Sequence, residues 1–226
     1  MCDVCGCGDP KLVRVDVHQS LLLHNDHDAA HNREHFQRAG VLALNVMGSP
    51  GSGKTSLLEA TARRLGAERR IAALSGDLAT DNDARRLAAA GIRAHAITTG
   101  SACHLSAELV HEGLHALGDV RDYDLLFVEN VGNLVCPAIY DLGQRANVVV
   151  LSVTEGEDKP LKYPVMFRRA DLVVLTKIDL LPHLDVQVGA IETALAQVMP
   201  TPRLLQVSAR TGEGVDRFVH WLSNLH

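Results

Sequence analysis

A three-layer α/β fold with a mostly parallel central sheet is what this sequence predicts, on three observations. An apolar run at 41–47 closes directly on the stretch 48–56, which reads GSPGSGKTS. Beyond it, strand-like segments at 70–75, 92–98, 124–130, 147–154, 171–178 and 203–207 alternate with helical stretches such as 82–90, 184–198 and 213–225. Runs such as NVVVL at 147–151 are apolar without strict alternation, as expected when helices cover both faces of a parallel sheet. With 226 residues, of which 46% are apolar and 22% charged, the chain can bury one sizeable core and carry an appendage. The expected division is a tail and linker at 1–20, a histidine-bearing helix at 21–40, and a P-loop domain at 41–226.

The bulk charge excludes some classes of partner. A formal charge of −5 gives no basic field for a general nucleic-acid role. No basic and apolar leader opens the chain, and no run approaches the length of a membrane span, so the cytoplasm is the expected compartment. Five cysteines and twelve histidines are the excesses that need explaining.

Three of those cysteines, Cys2, Cys5 and Cys7, crowd into the first seven residues. Reducing conditions favour metal ligation there, and three thiolates can wrap one soft or borderline ion. The alternative, a redox pair, would want a preceding strand and a following helix. In the helix predicted over 21–40, which Gly40 would stop, His24, His27, His31 and His35 are spaced three, four and four. At 100° per residue they fall on one arc, where i and i+4 pairs can chelate a divalent ion, and Asp28 and Glu34 can orient the rings. The competing reading is a solvated face that happens to use histidine. Leu22, Ala29 and Phe36 lie on another face, available for packing.

The stretch 48–56 carries the pattern GxxxxGK followed by Thr, the signature of a triphosphate grip. Gly48, Gly51 and Gly53 let the backbone aim its N–H groups at phosphate oxygens. Lys54 reaches the β/γ-phosphates, Thr55 offers a hydroxyl to Mg²⁺, and Ser52 and Ser56 complete the cradle at a helix N-terminus. In an open α/β sheet the ligand lies beyond the carboxyl ends of the strands. Asp77 follows one predicted strand and Glu129 ends another, and both are expected to hold Mg²⁺ or its waters. Gly132 follows Glu129 as a donor to the γ-phosphate. Thr80, Asp81 and Asp83, in the loop beyond Asp77, read as a solvated face.

The sequence Thr176-Lys177-Ile178-Asp179 fits a base-reading corner. A carboxylate at Asp179 accepts N1–H and N2–H of guanine, whereas adenine presents an acceptor to it, a loss of roughly 1–3 kcal/mol. The Lys177 stem can cover the purine, and Ser208-Ala209 can cap guanine O6 with a backbone N–H. GTP is therefore favoured over ATP. Thr176 stands where such corners usually carry Asn. The remaining thiols, Cys103 and Cys136, form with His104 three borderline-soft donors, unless they are two buried cysteines and a surface histidine. Ser101 is expected to cap a helix running to about Ala116, which would bias Cys103 toward thiolate. Cys136 lies seven residues beyond Glu129, so metal affinity and nucleotide state can be coupled.

These residues resemble the GTPases that incorporate nickel during nickel–iron hydrogenase maturation. The resemblance spans nearly the whole chain. It rests on CDVCGC at 2–7, Asn25-Asp26 and HNR at 31–33, the P-loop, GSACH at 100–104, ENVGNLVCP at 129–137 and TEGEDKP at 154–160. It implies a GTP-dependent homodimer that hydrolyses GTP slowly with Mg²⁺. It also implies a nickel site at the N-terminal cysteines, and a nickel or zinc site from Cys103, His104 and Cys136 near the subunit interface. The partners implied are a maturation accessory protein and the hydrogenase large-subunit precursor. Some relatives carry long histidine tracts after the cysteines; here only the shorter helical set remains. The related urease GTPases lack the cysteine head and the Cys103-His104 pair, which makes urease maturation the nearer alternative. The other is a nickel or zinc buffer whose nucleotide site only stabilises the fold. With neither a catalytic Gln nor an arginine finger evident, a low intrinsic rate is expected.

Overall fold

The computed structural model describes residues 10–225, apart from Ser101. Seven strands form one sheet: β1 (Leu42–Gly48), β2 (Ile71–Asp77), β3 (Arg93–Thr98), β4 (Leu125–Glu129), β5 (Ala146–Ser152), β6 (Leu172–Thr176) and β7 (Leu204–Val207). Their order is β3-β2-β4-β1-β5-β6-β7, and every strand pair is parallel. The helices are α1 (Pro10–Ala39), α2 (Lys54–Leu65), α3 (Asn82–Ala89), α4 (Ala107–Leu117), the short α5 (Lys159–Lys162) and α6 (Pro164–Arg168), α7 (Val188–Val198) and α8 (Val215–Ser223).

The predicted architecture is therefore present, and β1 lies at its centre. Its residues are apolar on both faces because helices cover both, and Leu44 and Val46 are fully buried. One polar side chain interrupts it. Asn45 Nδ2 donates to Asn147 Oδ1 of β5 (3.1 Å), and Asn130 Nδ2 donates to Asn45 Oδ1 (3.1 Å), so an amide ladder crosses the middle of the sheet. Phe127, Phe167 and Phe218 are fully buried, each in a helix-covered apolar cluster beside the sheet or its flanking helices.

Two helix starts differ from the sequence expectation. Helix α1 begins at Pro10 instead of residue 21; proline suits a first helical turn, where its missing N–H has no intrahelical partner. Helix α4 begins at Ala107, not after Ser101. Ser106 is its N-cap, with Oγ accepting from Leu109 N (3.3 Å), so Cys103 and His104 lie in the preceding loop and gain no thiolate bias from a first helical turn. Ser101 itself is outside the described residues.

Helix α1 docks through amides as well as through buried Ala29 and Phe36. Asn25 Nδ2 donates to Asp141 O (2.8 Å) while Asn25 Oδ1 accepts from Ala107 N (2.9 Å), closing an orphan donor at the start of α4. Asn32 Nδ2 donates to Ala107 O (2.8 Å), and Arg33 pairs with Asp141 (2.6 Å). Gly143, at φ 86°, sits so close to α1 that a Cβ would lie 2.6 Å from Ala29 O. Among the described residues no helix is long and apolar enough to cross a membrane.

Candidate nucleotide and metal site

The carboxyl ends of β1, β2, β4 and β6 meet around a cleft of about 510 Å³, lined by P-loop residues with Asp77, Asp83, Arg86, Glu129, Gly132 and Lys177. The P-loop leaves β1 at Gly48, whose backbone passes so near β5 that a Cβ would lie 2.3 Å from Val150 O. It enters α2 through Gly53 at φ 97°, a left-handed conformation that suits glycine. Lys54 is buried, which lowers its pKa, and its ammonium donates to Ser49 O (3.2 Å) and Gly48 O (3.4 Å) on the loop.

Thr55 and Glu129 come together as the sequence suggested. Thr55 Oγ1 donates to Glu129 Oε1 (2.7 Å), and both are buried. Glu129 Oε2 is buried with no hydrogen-bond partner. Burial pushes the Glu129 carboxyl up to about 7, against the pull of Lys54 and Thr55. An orphaned carboxylate oxygen beside a threonine hydroxyl and a triphosphate grip fits a hard divalent cation such as Mg²⁺. Asp77 lines the same cleft, but its Oδ1 accepts from Ala79 N (2.9 Å) and Thr80 N (2.8 Å), and these backbone donors lower its pKa. It therefore orders its own loop. Asp83, read from sequence as solvated, also lines this cleft, whereas Asp81 pairs with Arg85.

A second cleft of about 340 Å³ is lined by Gly53, Thr176, Lys177, Asp179 and Ala209. Lys177 borders both clefts. It is the single non-glycine residue with positive φ among the described residues, at 59°, and its Nζ donates to Gly51 O (2.7 Å). Thr176 Oγ1 donates to Ser52 O (2.5 Å), so this threonine ties the corner to the P-loop. Asp179 Oδ1 accepts from Ser208 Oγ (2.7 Å). Ser208 N donates to Glu213 O (2.9 Å), so of the Ser208-Ala209 pair Ala209 is the one left as candidate cap for a base oxygen. Ser52 and Ser56 stand in the grip, and Ser56 Oγ accepts from Arg86 Nη2 (3.1 Å).

Arg86 is the cleft residue that sequence reasoning missed. Its Nε and Nη2 donate to the Glu59 carboxylate at 3.0 Å and its Nη1 to Asp83 Oδ1 (3.2 Å), which leaves the guanidinium at the cleft edge. The pair joins α2 to α3 across 27 positions, and no local sequence pattern reports it.

Cys103, His104 and Cys136 are brought together, with ligand atoms all within 4.8 Å of one another and Cys103 Sγ 3.9 Å from His104 Nδ1. They are the one such set among the described residues. His104 stacks on Tyr140 (3.8 Å between centroids), and burial lowers its pKa, favouring the neutral, ligating form. The neighbouring Cys103 thiol, then burial, pushes the Cys136 thiol up, so a metal would have to displace its proton. Two thiols and an imidazole suit a borderline cation and leave a position open in a tetrahedral or square-planar shell.

This donor set is fastened to the phosphate grip. Asn133 pairs with Gly48 in an isolated antiparallel bridge, while its Nδ2 donates to Cys103 O (3.3 Å). Gly132 packs on Pro50 so closely that a Cβ would lie 2.9 Å away. Asn130 Oδ1 accepts from Leu105 N (3.1 Å), holding the other side of the His104 loop.

The histidines of α1 divide. His24 (3.6 Å) and His27 (3.5 Å) turn to Asp28, whereas His31 faces α4 and His35 stacks near Phe36. The four do not form one metal set. Cys2, Cys5 and Cys7 lie outside the described residues.

Comparison with known proteins agrees with this geometry. The model of the CobW/HypB/UreG nucleotide-binding domain matches residues 42–206. The hydrogenase maturation factor HypB of Rhizobium leguminosarum bv. viciae is 53% identical over 210 residues, covering 92% of this chain and 69% of its own. A crystal structure of HypB from Helicobacter pylori in complex with nickel superposes with a TM-score of 0.84 at 39% identity, over 88% of this chain and 94% of that one. The hydrogenase maturation factor HypB from Archaeoglobus fulgidus gives 0.83 at 39% identity, over 91% of this chain and all of that one.

Proposed function

The chain belongs to the CobW/HypB/UreG family, and from that premise we propose that it is a GTP-hydrolysing nickel metallochaperone of nickel–iron hydrogenase maturation. The observation that carries this reading is the fastening of Asn133: its backbone pairs with the P-loop at Gly48 and its side chain holds the carbonyl of Cys103. A change at the γ-phosphate is thereby transmitted to the metal donors through one residue.

In this reading GTP lies along both clefts, with phosphates on the P-loop and guanine against Asp179 and Ala209 under the Lys177 stem. Lys54 neutralises the β/γ-phosphates. Mg²⁺ would be held by Thr55 and Glu129, with Asp77 reached through water, and would supply charge neutralisation on the phosphates. Gly132 N–H faces the γ-phosphate. Hydrolysis releases the 129–137 segment and alters nickel affinity at Cys103, His104 and Cys136, where zinc is the competing ion. Nickel is cargo here, received at the N-terminal cysteines and passed on. A GTP-bound homodimer, an accessory protein, the large-subunit precursor and a cytoplasmic setting complete the proposal. The absence of thiols from a urease-type head is not met here, since CDVCGC opens the chain, which favours the hydrogenase client.

The coupling is tested with the Cys2, Cys5 and Cys7 to Ala variant by measuring nickel affinity with GDP and with a nonhydrolysable GTP analogue. A difference of about 5- to 150-fold is expected for a coupling of ordinary size. Equal affinities would overturn the switch and favour a metal buffer.

Base recognition gives an independent check. Asp179→Asn is expected to weaken GTP about 10- to 100-fold, because N2–H then faces an amide N–H₂. The same amide donates to the 2-carbonyl of xanthine, so xanthosine triphosphate should bind more tightly than GTP to the variant. Competition binding with both nucleotides reads this out; an unchanged preference for GTP would remove Asp179 from the base site.

A further inference from the structure

The histidines left unused by this reading recur on a second helix. His31 and His35 stand one turn apart on α1, and His111 and His115 stand one turn apart on α4. The two helices are locked together nearby by Asn25 and Asn32 on Ala107. The His31 and His111 ring centroids are 5.3 Å apart at 75°, and those of His111 and His115 are 4.9 Å apart at 85°. Two imidazoles sharing one tetrahedral ion at about 2.0–2.1 Å place their ring centres about 5 Å apart. His111 Nδ1 is buried with no hydrogen-bond partner, in a position where an apolar ring would serve packing alone.

We propose that His31, His35, His111 and His115 form a further site for a borderline divalent cation, nickel or zinc, which staples α1 to α4. In this site the exposed side chains of His31 and His115 rotate to bring their nitrogens onto the ion that His111 Nδ1 addresses from the buried side. Burial, then the neighbouring His115, His31 and His35, lowers the pKa of His111, so it stands in the neutral form that ligates. The charge of Asp28 works against that shift and is outweighed. No residue is shared with Cys103, His104 and Cys136. The site lies on the helix that follows their loop, and on the helix that follows the N-terminal cysteines in sequence. All-nitrogen ligation makes it the weaker and more exchangeable of the sites, closer to a way station than a store.

The test uses the full chain with Zn²⁺ alone as probe. Bound zinc per chain is compared between the parent, His31→Gln/His111→Gln and the control His24→Gln/His27→Gln. The first variant should bind one equivalent less, and the control should match the parent. In the parent, zinc should also shield His31, His35, His111 and His115 from diethyl pyrocarbonate while His24 and His27 stay reactive. This reading requires no variant to fold. Equal zinc content in all three proteins, equal losses in both variants, or modification of His111 and His115 indifferent to zinc would overturn the proposal.

Discussion

Lys54→Ala is expected to reduce GTP hydrolysis by about 10²- to 10³-fold or more while the fold and the metal content persist. Among the described residues the ammonium is the one buried cation lining the phosphate cleft, held by Gly48 O and Ser49 O. No other side chain can take its place, because Arg86 is engaged with Glu59 and Lys177 with Gly51. The apo protein should tolerate the change, since removing a desolvated charge offsets the lost contacts. Single-turnover hydrolysis and titration with a fluorescent GTP analogue measure the first effect, and metal analysis the second. A variant that binds GTP within threefold of the parent would show that phosphate recognition lies elsewhere. Loss of hydrolysis with metal retained, but with hydrogenase maturation intact, would favour the buffer.

Glu129→Gln is expected to stabilise the metal-free, nucleotide-free protein as pH rises. In the folded chain burial holds the carboxyl at about 7, against the ordinary 4.5 of an exposed glutamate. The raised value means the folded state keeps its proton longer than the unfolded state. Stability contributed by this proton is thus complete below about 4.5 and is lost as pH climbs through about 7. The loss is on the order of 3 kcal/mol by that shift. Glutamine has no such loss, so the stability gap between variant and parent should grow by that order between pH 5 and pH 8 in the presence of a chelator. Urea unfolding at the two pH values measures it; a gap independent of pH would mean that Glu129 ionises freely in the fold. The same substitution should lower Mg²⁺-dependent hydrolysis by about 10²-fold, because the carboxylate charge is what the cation requires.

Much of this was legible because it is local. The P-loop, the acids at strand ends and the alternation of strand and helix follow from short patterns, and each strand appears within a few residues of its expected place. The cysteine–histidine set was legible as three borderline-soft donors, and its link to the nucleotide through the spacing of seven residues from Glu129 to Cys136. What escaped depends on approaches between distant segments. Ser106 rather than Ser101 starts α4 because Asn25, 82 residues away, satisfies Ala107 N. Asp77 turns into its own loop because two backbone donors lie within reach. Arg86 joins the cleft through Glu59, 27 positions earlier. The pairing of α1 histidines with His111 needs the docking of two helices that no periodicity reports.

Thr176 and Lys177 are adjacent, and each hands a hydrogen bond to a different carbonyl of the P-loop, Ser52 O at 2.5 Å and Gly51 O at 2.7 Å. The P-loop and the corner at 176–179 are therefore tied together, and in the proposed reading the two ends of the nucleotide share one conformational cost. Recognition of the two ends is then expected to be non-additive. A fragment carrying only guanine, or only phosphates, would meet a half-site whose other half was already set in place, and substitutions at the two ends would not sum.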